Sequence, residues 1–285
     1  MSPLGNPASV CKTGKSTDSI EGGGRIRDRC KKSQAGKPLI SVITVVFNGA
    51  ETIEHNIQSV LSQDYEYIEH IIIDGGSTDG TTDVLRRYDE RIDYWISEPD
   101  AGIYDAMNKG IALASGKYIG MLNADDYFAE VSSLGKIVRR LEESGAEAVF
   151  SCLDIVDPTD SKRILRKNRI PSYGKFWMRI GVMPPHPTFY CKRACYERAG
   201  LYRTDYHIAA DAEMMVRLLL KHHITWSFID ETTVKMRAGG ISSSGLKANW
   251  LGNREIVRAC AENGLYTNLF FLAFKVPLRL LERIL

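Results

Sequence analysis

Residues 40–74 read ISVITVVFNGAETIEHNIQSVLSQDYEYIEHIIID. The run 40–47 is almost continuously apolar and β-branched, which is typical of a strand buried on both faces. Ile53 and Ile57 then fall on one helical stripe, and residues 69–74 form a second apolar run. A strand, a helix and a strand joined by short links predict a right-handed crossover between two parallel strands.

The same alternation extends along the rest of the chain. Further strands are predicted at 94–97, 118–123, 148–156, 164–170 and 224–236, and further helices at 81–87, 104–114, 134–144 and 210–222. We therefore expect an α/β fold with a Rossmann-like, mostly parallel central sheet flanked by helices. Ligands of such sheets bind beyond the carboxyl ends of the strands.

The distribution of charge divides the chain. Residues 1–38 carry eight Lys and Arg against three Asp and Glu, so the net charge of +2 combines a basic beginning with a slightly acidic remainder. We expect residues 1–37 to be a disordered basic extension, residues 38–245 to be the main folded domain, and residues 246–285 to be a helical extension. A slightly acidic body argues against nucleic acid as a partner.

The cysteines and the apolar segments bear on the compartment. Six cysteines occur without a Cys-x-x-Cys motif or a zinc-like His spacing, so neither a disulfide framework nor a structural zinc is indicated. The chain contains neither a secretory signal nor an apolar run of about 18 residues. We therefore expect reduced thiols and a cytoplasmic protein, in contact at most with the inner face of the cell membrane.

Carboxylates follow two of the predicted strands. Asp74 ends one strand, and Asp125 and Asp126 follow another. The carboxyl ends of parallel strands meet at one edge, where neighbouring carboxylates repel each other unless a cation lies between them. Mg²⁺ or Mn²⁺, completed by substrate phosphates, suits such a site. The alternative is that Asp125 or Asp126, like Ser77, merely caps the turn or helix that follows.

Three blocks resemble a known family: SVITVVFNGAETIEHNIQSVLSQDYEYIEHIIIDGGSTDGT (41–81), SEPDAGIYDAMNKGIALASGKYIGMLNADD (97–126) and HIAADAEMMVRL (207–218). They resemble the family 2 glycosyltransferases of the GT-A fold, especially the branch that builds bacterial surface polysaccharides such as colanic acid. The resemblance implies transfer of a sugar from a nucleotide-sugar donor, expected to be UDP-linked, to a saccharide or lipid-linked saccharide acceptor. The Gln-x-x-Arg-Trp signature of processive synthases is absent, which implies one sugar per encounter.

The resemblance also implies roles for individual residues. Asp74 matches the aspartate that binds uracil, with the backbone near Val45 beside the base. Asp125 and Asp126 stand at the DxD motif, whose first acid is missing here. The last aspartate, Asp126, is expected to bind the metal, and Asp125 to reach the ribose or the metal. Asp211 falls where the family keeps its catalytic base, so transfer is expected to invert the anomeric carbon.

An Asp-x-Gly-x-Tyr-Asp-x-Met-Asn block is typical of the same branch. On that ground Asp100, Tyr104 and Asn108 are assigned to donor contact. The alternative is that this block lets its helix pack closely on the sheet. His186, between prolines, and Arg237, near the end of the last predicted strand, could contact phosphate, although a structural histidine and a solvated arginine explain them as well.

The position of Asp211 supports a functional role independently of the family. On a helix it shares a face with Met214, Met215 and Leu218, so its carboxylate is directed toward the packed side. An aspartate in the first turn also gains from the helix dipole, which is the structural alternative.

The end of the chain predicts contact with a membrane. Residues 269–285 carry Lys275, Arg279 and Arg283 at four-residue spacing among apolar residues. That pattern is typical of a helix lying on an anionic membrane surface, and it predicts peripheral contact. A helix packed on the catalytic domain is the alternative.

Two other functions remain open on the sequence alone. A sugar-1-phosphate nucleotidyltransferase would share a related sheet and a metal requirement, but it should show a glycine-rich, basic loop where residues 45–50 read VVFNGA. A nucleotide-sugar-binding protein without activity should have lost Asp126 or Asp211, and both are present.

Overall fold

The computed structural model describes residues 19–169, 174–239 and 246–275. Its strands are β1 (Ile20–Gly22), β2 (Ile40–Val46), β3 (Ile68–Asp74), β4 (Tyr94–Ser97), β5 (Tyr118–Met121), β6 (Asp126–Phe128), β7 (Ala148–Val156), β8 (Ile164–Asn168), β9 (Tyr190–Lys192) and β10 (Trp226–Arg237). Its α-helices are α1 (Ile53–Leu61), α2 (Thr81–Arg87), α3 (Ile103–Leu113), α4 (Ser133–Ser144), α5 (Lys175–Arg179), α6 (Arg193–Ala199), α7 (Ala210–Val216), α8 (Leu246–Glu262) and α9 (Leu269–Ala273). Short 3-10 helices span Gly24–Arg27 and His186–Thr188, and α7 continues as a π-helix over Arg217–Lys221.

One mixed sheet runs through the described residues in the order β1-β4-β3-β2-β5-β9-β7-β10-β6, with β8 paired to β7. β4, β3, β2 and β5 are parallel to one another, as are β7 and β10. β9 runs antiparallel between β5 and β7. The predicted α/β fold with a mostly parallel sheet and flanking helices is therefore confirmed.

The central strands are covered on both faces. Every residue of β2 and β3 is buried. α3 packs closely on β2, because a Cβ atom added to Gly110 would lie 2.3 Å from Cγ2 of Ile43. This close contact positions α3, and the loop before it, relative to the carboxyl edge of the sheet.

The expectation that residues 1–37 are disordered is wrong for residues 19–37, and residues 1–18 lie outside the described part. β1 adds an antiparallel edge strand to β4. Arg25 forms an ion pair with Glu69, and the two side chains are only 11% and 2% exposed. The basic composition suggests a solvated tail, but Arg25 pairs with a buried carboxylate of the folded domain, which would be costly to leave without its partner.

The C-terminal residues pack on the body as far as the structure describes them. α8 contacts α7. Lys275 is 9% exposed, and its Nζ lies 2.5 Å from Oδ1 of Asn253. Lys275 is therefore not part of an exposed cationic stripe, which corrects the expectation from the sequence, and Arg279 and Arg283 lie outside the described residues. Among the helices that the structure describes, none has the length and apolar character needed to cross a membrane.

Candidate active site

The loops after β2 and β3 bond to each other at the carboxyl edge of the sheet. Asn48 has a φ of 50°, and its N–H donates to Oγ of Ser77 at 2.7 Å. Its Oδ1 accepts from the N–H of Thr78 at 2.9 Å. The N–H of Gly49 bonds Oγ1 of Thr81 at 3.0 Å. These bonds hold the two loops as one unit beneath any ligand at this edge.

Asp74 organises the second of these loops. Its Oδ2 accepts from the Ser77 N–H at 3.0 Å and from the Ser97 hydroxyl at 2.5 Å, and its Oδ1 accepts from the Ser77 hydroxyl. The residue has no exposed surface. The carboxylate is therefore satisfied within the protein and keeps the loop in shape, and its role in binding a base stays a prediction.

Phe47 and Asp100 lie at the same edge, whereas Val45 faces the core. Phe47 follows β2 and is 67% exposed, although the sequence analysis did not single it out. Asp100 lies against the Asp74 loop, because a Cβ atom on Gly75 would be 2.6 Å from its Oδ2, and burial raises the pKa of Asp100. The side chain of Val45 packs in the core, so only its backbone is available to a ligand.

A tight turn at residues 123–126 carries the second group of acids. Nδ2 of Asn56 holds it, at 2.9 Å from the carbonyl oxygen of Asn123 and 3.0 Å from that of Asp126. Asp126 is 1% exposed, and neither carboxylate oxygen has a hydrogen-bond partner in the described part of the chain. Burial and the charge of Asp125 raise the pKa of Asp126 well above its usual range, and burial also raises the pKa of Asp125.

Arg237 brings positive charge to this turn. β6 pairs with β10 so that Met236 lies opposite Asp126, and Arg237 ends β10. Its Nη2 donates to Nδ1 of His55 at 2.7 Å, and its guanidinium carbon lies 5.6 Å from the ring centre of Tyr127. Because Nδ1 accepts this bond, His55 is neutral, and burial and Arg237 lower its pKa. Sequence reasoning missed His55 because a single histidine on a helix forms no motif.

The chemistry of the turn fits a divalent cation. Within the described residues, three buried oxygens of this turn lack a hydrogen-bond partner: Oδ1 of Asn123 and both carboxylate oxygens of Asp126. Mg²⁺ and Mn²⁺ prefer oxygen ligands. No three His, Cys, Asp or Glu side chains surround a common point in the described residues. An ion bound here would complete its coordination with water or with oxygens of a ligand.

Asp211 lies in the first turn of α7, beside buried polar side chains from other elements. It is partly exposed, and its Oδ1 accepts from the Ala212 N–H at 2.8 Å. Burial lowers the pKa of His186 and the charge of Asp211 opposes that shift, while Nε2 of His186 lies 2.8 Å from the Tyr202 hydroxyl. Burial, together with the charge of Asp211, raises the pKa of Tyr104. These effects place Asp211 near His186 and Tyr104.

The segment His186–Thr188 connects this group to the acidic turn. β9 pairs with β5 with Tyr190 opposite Gly120, so the residues before β9 run alongside those after β5. The segment also contacts β5. The acidic turn therefore lies next to the residues around Asp211, on one edge of the sheet. Within the described residues, no hydrogen bond joins the Asp126 and Asp211 carboxylates.

Tyr104 and Asn108 hold the segment that precedes α7. The Tyr104 hydroxyl donates to the carbonyl oxygen of Ile208 at 2.6 Å. The Asn108 amide exchanges two hydrogen bonds, each of 2.8 Å, with the backbone of Tyr202. These bonds link α3 to the segment that carries Asp211, and direct contact of Tyr104 or Asn108 with a donor stays a prediction.

Glu255 of α8 holds the start of α7 from the other side. Its carboxylate accepts from the N–H groups of His207, Ile208 and Ala209 at 2.8, 2.9 and 2.8 Å, and the residue is 7% exposed. Sequence reasoning missed Glu255, because a lone glutamate in a polar helix usually lies in solvent. The C-terminal part of the chain is therefore part of the framework around Asp211.

The mostly parallel sheet, with acidic loops at its carboxyl edge, has the GT-A fold of its structural neighbours. The model of glycosyl transferase family 2 matches residues 41–206. The chain belongs to glycosyl transferase family 2, and the resemblance seen in the sequence is confirmed. This membership favours a glycosyltransferase over a nucleotidyltransferase or a binding protein without activity. Asp211 lies beyond the matched residues.

Two bacterial relatives illustrate this similarity. An uncharacterized glycosyltransferase of Mycobacterium tuberculosis (strain CDC 1551 / Oshkosh) is 35% identical over 185 residues, which cover 64% of this chain and 70% of the relative. TuaG of Bacillus subtilis (strain 168), named for a proposed role in teichuronic acid biosynthesis, is 44% identical over 93 residues, which cover 32% of this chain and 37% of the relative.

Two solved structures share the fold at low sequence identity. A crystal structure of residues 1–349 of TarS from S. aureus has a TM-score of 0.60 and 16% identity, and the match covers 78% of this chain and 65% of that one. The mannosyltransferase PcManGT from Pyrobaculum calidifontis, in complex with GDP-Man and Mn²⁺, has a TM-score of 0.60 and 20% identity, and the match covers 84% of this chain and 68% of that one.

Proposed function

We propose that this protein transfers one sugar from a UDP-linked donor to a hydroxyl of a saccharide or lipid-linked saccharide, with inversion, during synthesis of a cell-surface polysaccharide. The observation that carries the proposal is the buried Asp126 carboxylate, which lacks partners in the described structure and lies beside Arg237, on the same edge as Asp211. Cys152, Cys191, Cys195 and Cys260 are buried free thiols, which supports a reducing, cytoplasmic location.

The donor would bind across the loops after β2, β3 and β4. Phe47 offers an exposed ring on which a base can stack. Asp100 and the backbone near Val45 border the same loops. A structure of TarS in complex with UDP-GlcNAc, with a TM-score of 0.58, supports a nucleotide-sugar donor in this fold.

Asp126 would hold Mg²⁺ or Mn²⁺ at the turn, and Asp125 would reach the ribose of the donor or the metal. A bound divalent ion would neutralise the charge that develops on the leaving nucleoside diphosphate. The protein adds positive charge of its own through Arg237, which neutral His55 orients toward the turn. The Mn²⁺ complex of the P. calidifontis neighbour supports this part of the proposal.

Asp211 would act as the general base. Its carboxylate takes the proton of the acceptor hydroxyl while that oxygen forms a bond to the anomeric carbon. The bond from this carbon to the diphosphate oxygen breaks on the opposite face, and its electron pair leaves with the diphosphate. The anomeric carbon is inverted in one displacement, so no covalent intermediate on the protein is needed.

A donor screen tests this function. The full chain is incubated with UDP-, GDP- and dTDP-sugars, with Mn²⁺ or with EDTA, and the released nucleoside diphosphate is measured. We expect release from a UDP-sugar that increases with a saccharide acceptor and stops in EDTA. Release that is unaffected by EDTA would overturn the metal assignment, and preference for another nucleotide would overturn the assignment of UDP. No release under any condition would overturn the proposal.

Glu255→Gln is expected to reduce turnover about 10- to 100-fold with little change in the KM for the donor, because a small misplacement of a catalytic group is costly. The variant keeps the size of the side chain but replaces one oxygen that accepts backbone N–H groups before α7. Steady-state kinetics measure both constants. Glu262→Gln on the same helix, 36% exposed at its side chain, is the control and should stay active. Equal kinetics for both variants would contradict a positioning role for Glu255.

A further inference from the structure

Exposed apolar side chains cluster where α5 meets α9 and the turn before it. We call them the aromatic face: Phe176, Tyr266, Leu269, Phe270 and Phe274, which are 66%, 68%, 50%, 71% and 49% exposed. Single exposed apolar residues are ordinary on protein surfaces, whereas a contiguous group marks an interaction site.

Direct contacts make the face continuous. Nε of Arg179 donates to the carbonyl oxygen of Tyr266 at 3.1 Å, and its guanidinium carbon lies 6.0 Å from the ring centre of Phe271. The rings of Phe270 and Phe274 are 5.3 Å apart. Phe176 lies one turn before Arg179 on α5, so both side chains belong to one side of that helix.

Buried residues fix the face to the protein. Met178 of α5 is fully buried, and Leu272 of α9 is 2% exposed. The Thr267 hydroxyl donates to the carbonyl oxygen of Arg179 at 2.5 Å. The face is therefore carried by two short helices and the turn before α9, and the opposite sides of both helices are buried.

The two chain segments that carry the face are basic. Residues 174–192 and 263–275 include Lys175 and Arg179, both exposed, and contain no Asp or Glu. The closest preceding acid in the chain, Glu262, is already paired with Arg203 and Arg258. An occupant of this face should therefore combine an apolar layer with negative charge. A second copy of the chain would bring the same cations together.

We propose that the aromatic face docks on a bilayer that contains anionic lipid. Aromatic and other apolar side chains buried at the boundary of headgroups and acyl chains, with Lys and Arg beside them, are a common means of such binding. α5 leads along the chain to His186, which lies beside Asp211. The inference concerns binding alone and does not depend on the sugar that is transferred.

A flotation assay tests the docking with the full chain and no donor. One set of vesicles consists of phosphatidylcholine alone. The other contains about 30% phosphatidylglycerol, which gives the surface a negative charge. We expect the wild type to float with the anionic vesicles. Phe270→Ser/Phe274→Ser should weaken this binding at least about tenfold. Lys175→Glu should weaken it severalfold on anionic vesicles.

The control is Val131→Ser/Ile164→Ser, which removes two apolar side chains that are 59% and 41% exposed on other elements. It should bind the vesicles like the wild type. Absence of binding by the wild type, or equal loss in both double variants, would overturn the proposal. Analytical ultracentrifugation provides a further test: a wild-type dimer that Phe270→Ser/Phe274→Ser converts to a monomer would assign the face to a second copy and overturn bilayer docking.

Discussion

Replacement of Asp211 by Asn is expected to lower the turnover number about 10²- to 10⁴-fold, the range that general-base catalysis contributes. Asparagine keeps the size of the side chain and an acceptor oxygen for the Ala212 N–H, but it cannot take the proton of an acceptor hydroxyl. Asp211 lies on α7, whereas the donor would bind on the loops after β2, β3 and β4. The KM for the donor should therefore change little, and steady-state release of nucleoside diphosphate measures both constants.

Asp83→Asn is a matched control for this experiment. The Asp83 side chain is 71% exposed on α2, where it pairs only with Arg86 among the ion pairs described, and its loss should leave turnover unchanged. If Asp211→Asn turned over like the wild type, another group would have to accept the proton. A rise in the donor KM without a fall in turnover would instead assign Asp211 to donor binding.

Asp126→Asn is expected to change stability and activity in opposite directions. In EDTA the wild type holds a buried carboxyl group whose oxygens lack hydrogen-bond partners within the described structure. Removal of its charge should raise the free energy of unfolding by about 1–3 kcal/mol at pH 7. Turnover should fall at least about 10²-fold, since the metal would lose a ligand. Urea unfolding in EDTA and release of nucleoside diphosphate in Mn²⁺ measure the two effects.

The stability gained by Asp126→Asn should increase as the pH rises. Burial raises the pKa of Asp126 in the folded protein well above the ordinary value of 3.8. Between the pKa of Asp126 in the unfolded chain and its higher pKa in the folded protein, the folded state binds more protons than the unfolded state. The wild type therefore loses stability as the pH rises through this range. The advantage of Asp126→Asn should be absent at about pH 4 and grow toward neutral pH.

Thermal unfolding with added Mn²⁺ shows whether Asp126 or Asp125 binds the metal. Mn²⁺ should raise the midpoint of unfolding of the wild type and should not raise that of Asp126→Asn. An Asp126→Asn variant that is fully active and still stabilised by Mn²⁺ would contradict the assignment and leave Asp125 as the ligand. Asp125→Asn, measured in parallel, would then lose both properties.

Local patterns in the sequence predict the sheet and its acidic edge. The apolar run before Phe47 and the run that ends at Asp74 form buried parallel strands because their side chains are apolar on both faces. The register places Val46 beside Asp74, as expected for adjacent parallel strands. The acidic turn at Asp125 and Asp126 follows a strand in the same way. Such features depend on residues that are near one another in the chain.

The roles of several other residues depend on distant partners. Arg25 lies in a segment whose composition is that of a solvated tail, yet it pairs with buried Glu69. Asn108 belongs to a motif assigned to contact with the donor, yet its amide is hydrogen-bonded to the backbone of Tyr202. Lys275 fits a cationic stripe in the sequence, yet it is buried against Asn253.

By itself, the sequence determined strands β2 to β5 with the helices between them, the family, and the acids that follow the strands. Only the tertiary structure showed that Asp126 lacks partners in the described residues, that His55 orients Arg237, and that Glu255 holds the start of α7. The physical reason is that periodicity and motifs report interactions along the chain. The burial and pairing of a polar group depend instead on which distant segments fold against it.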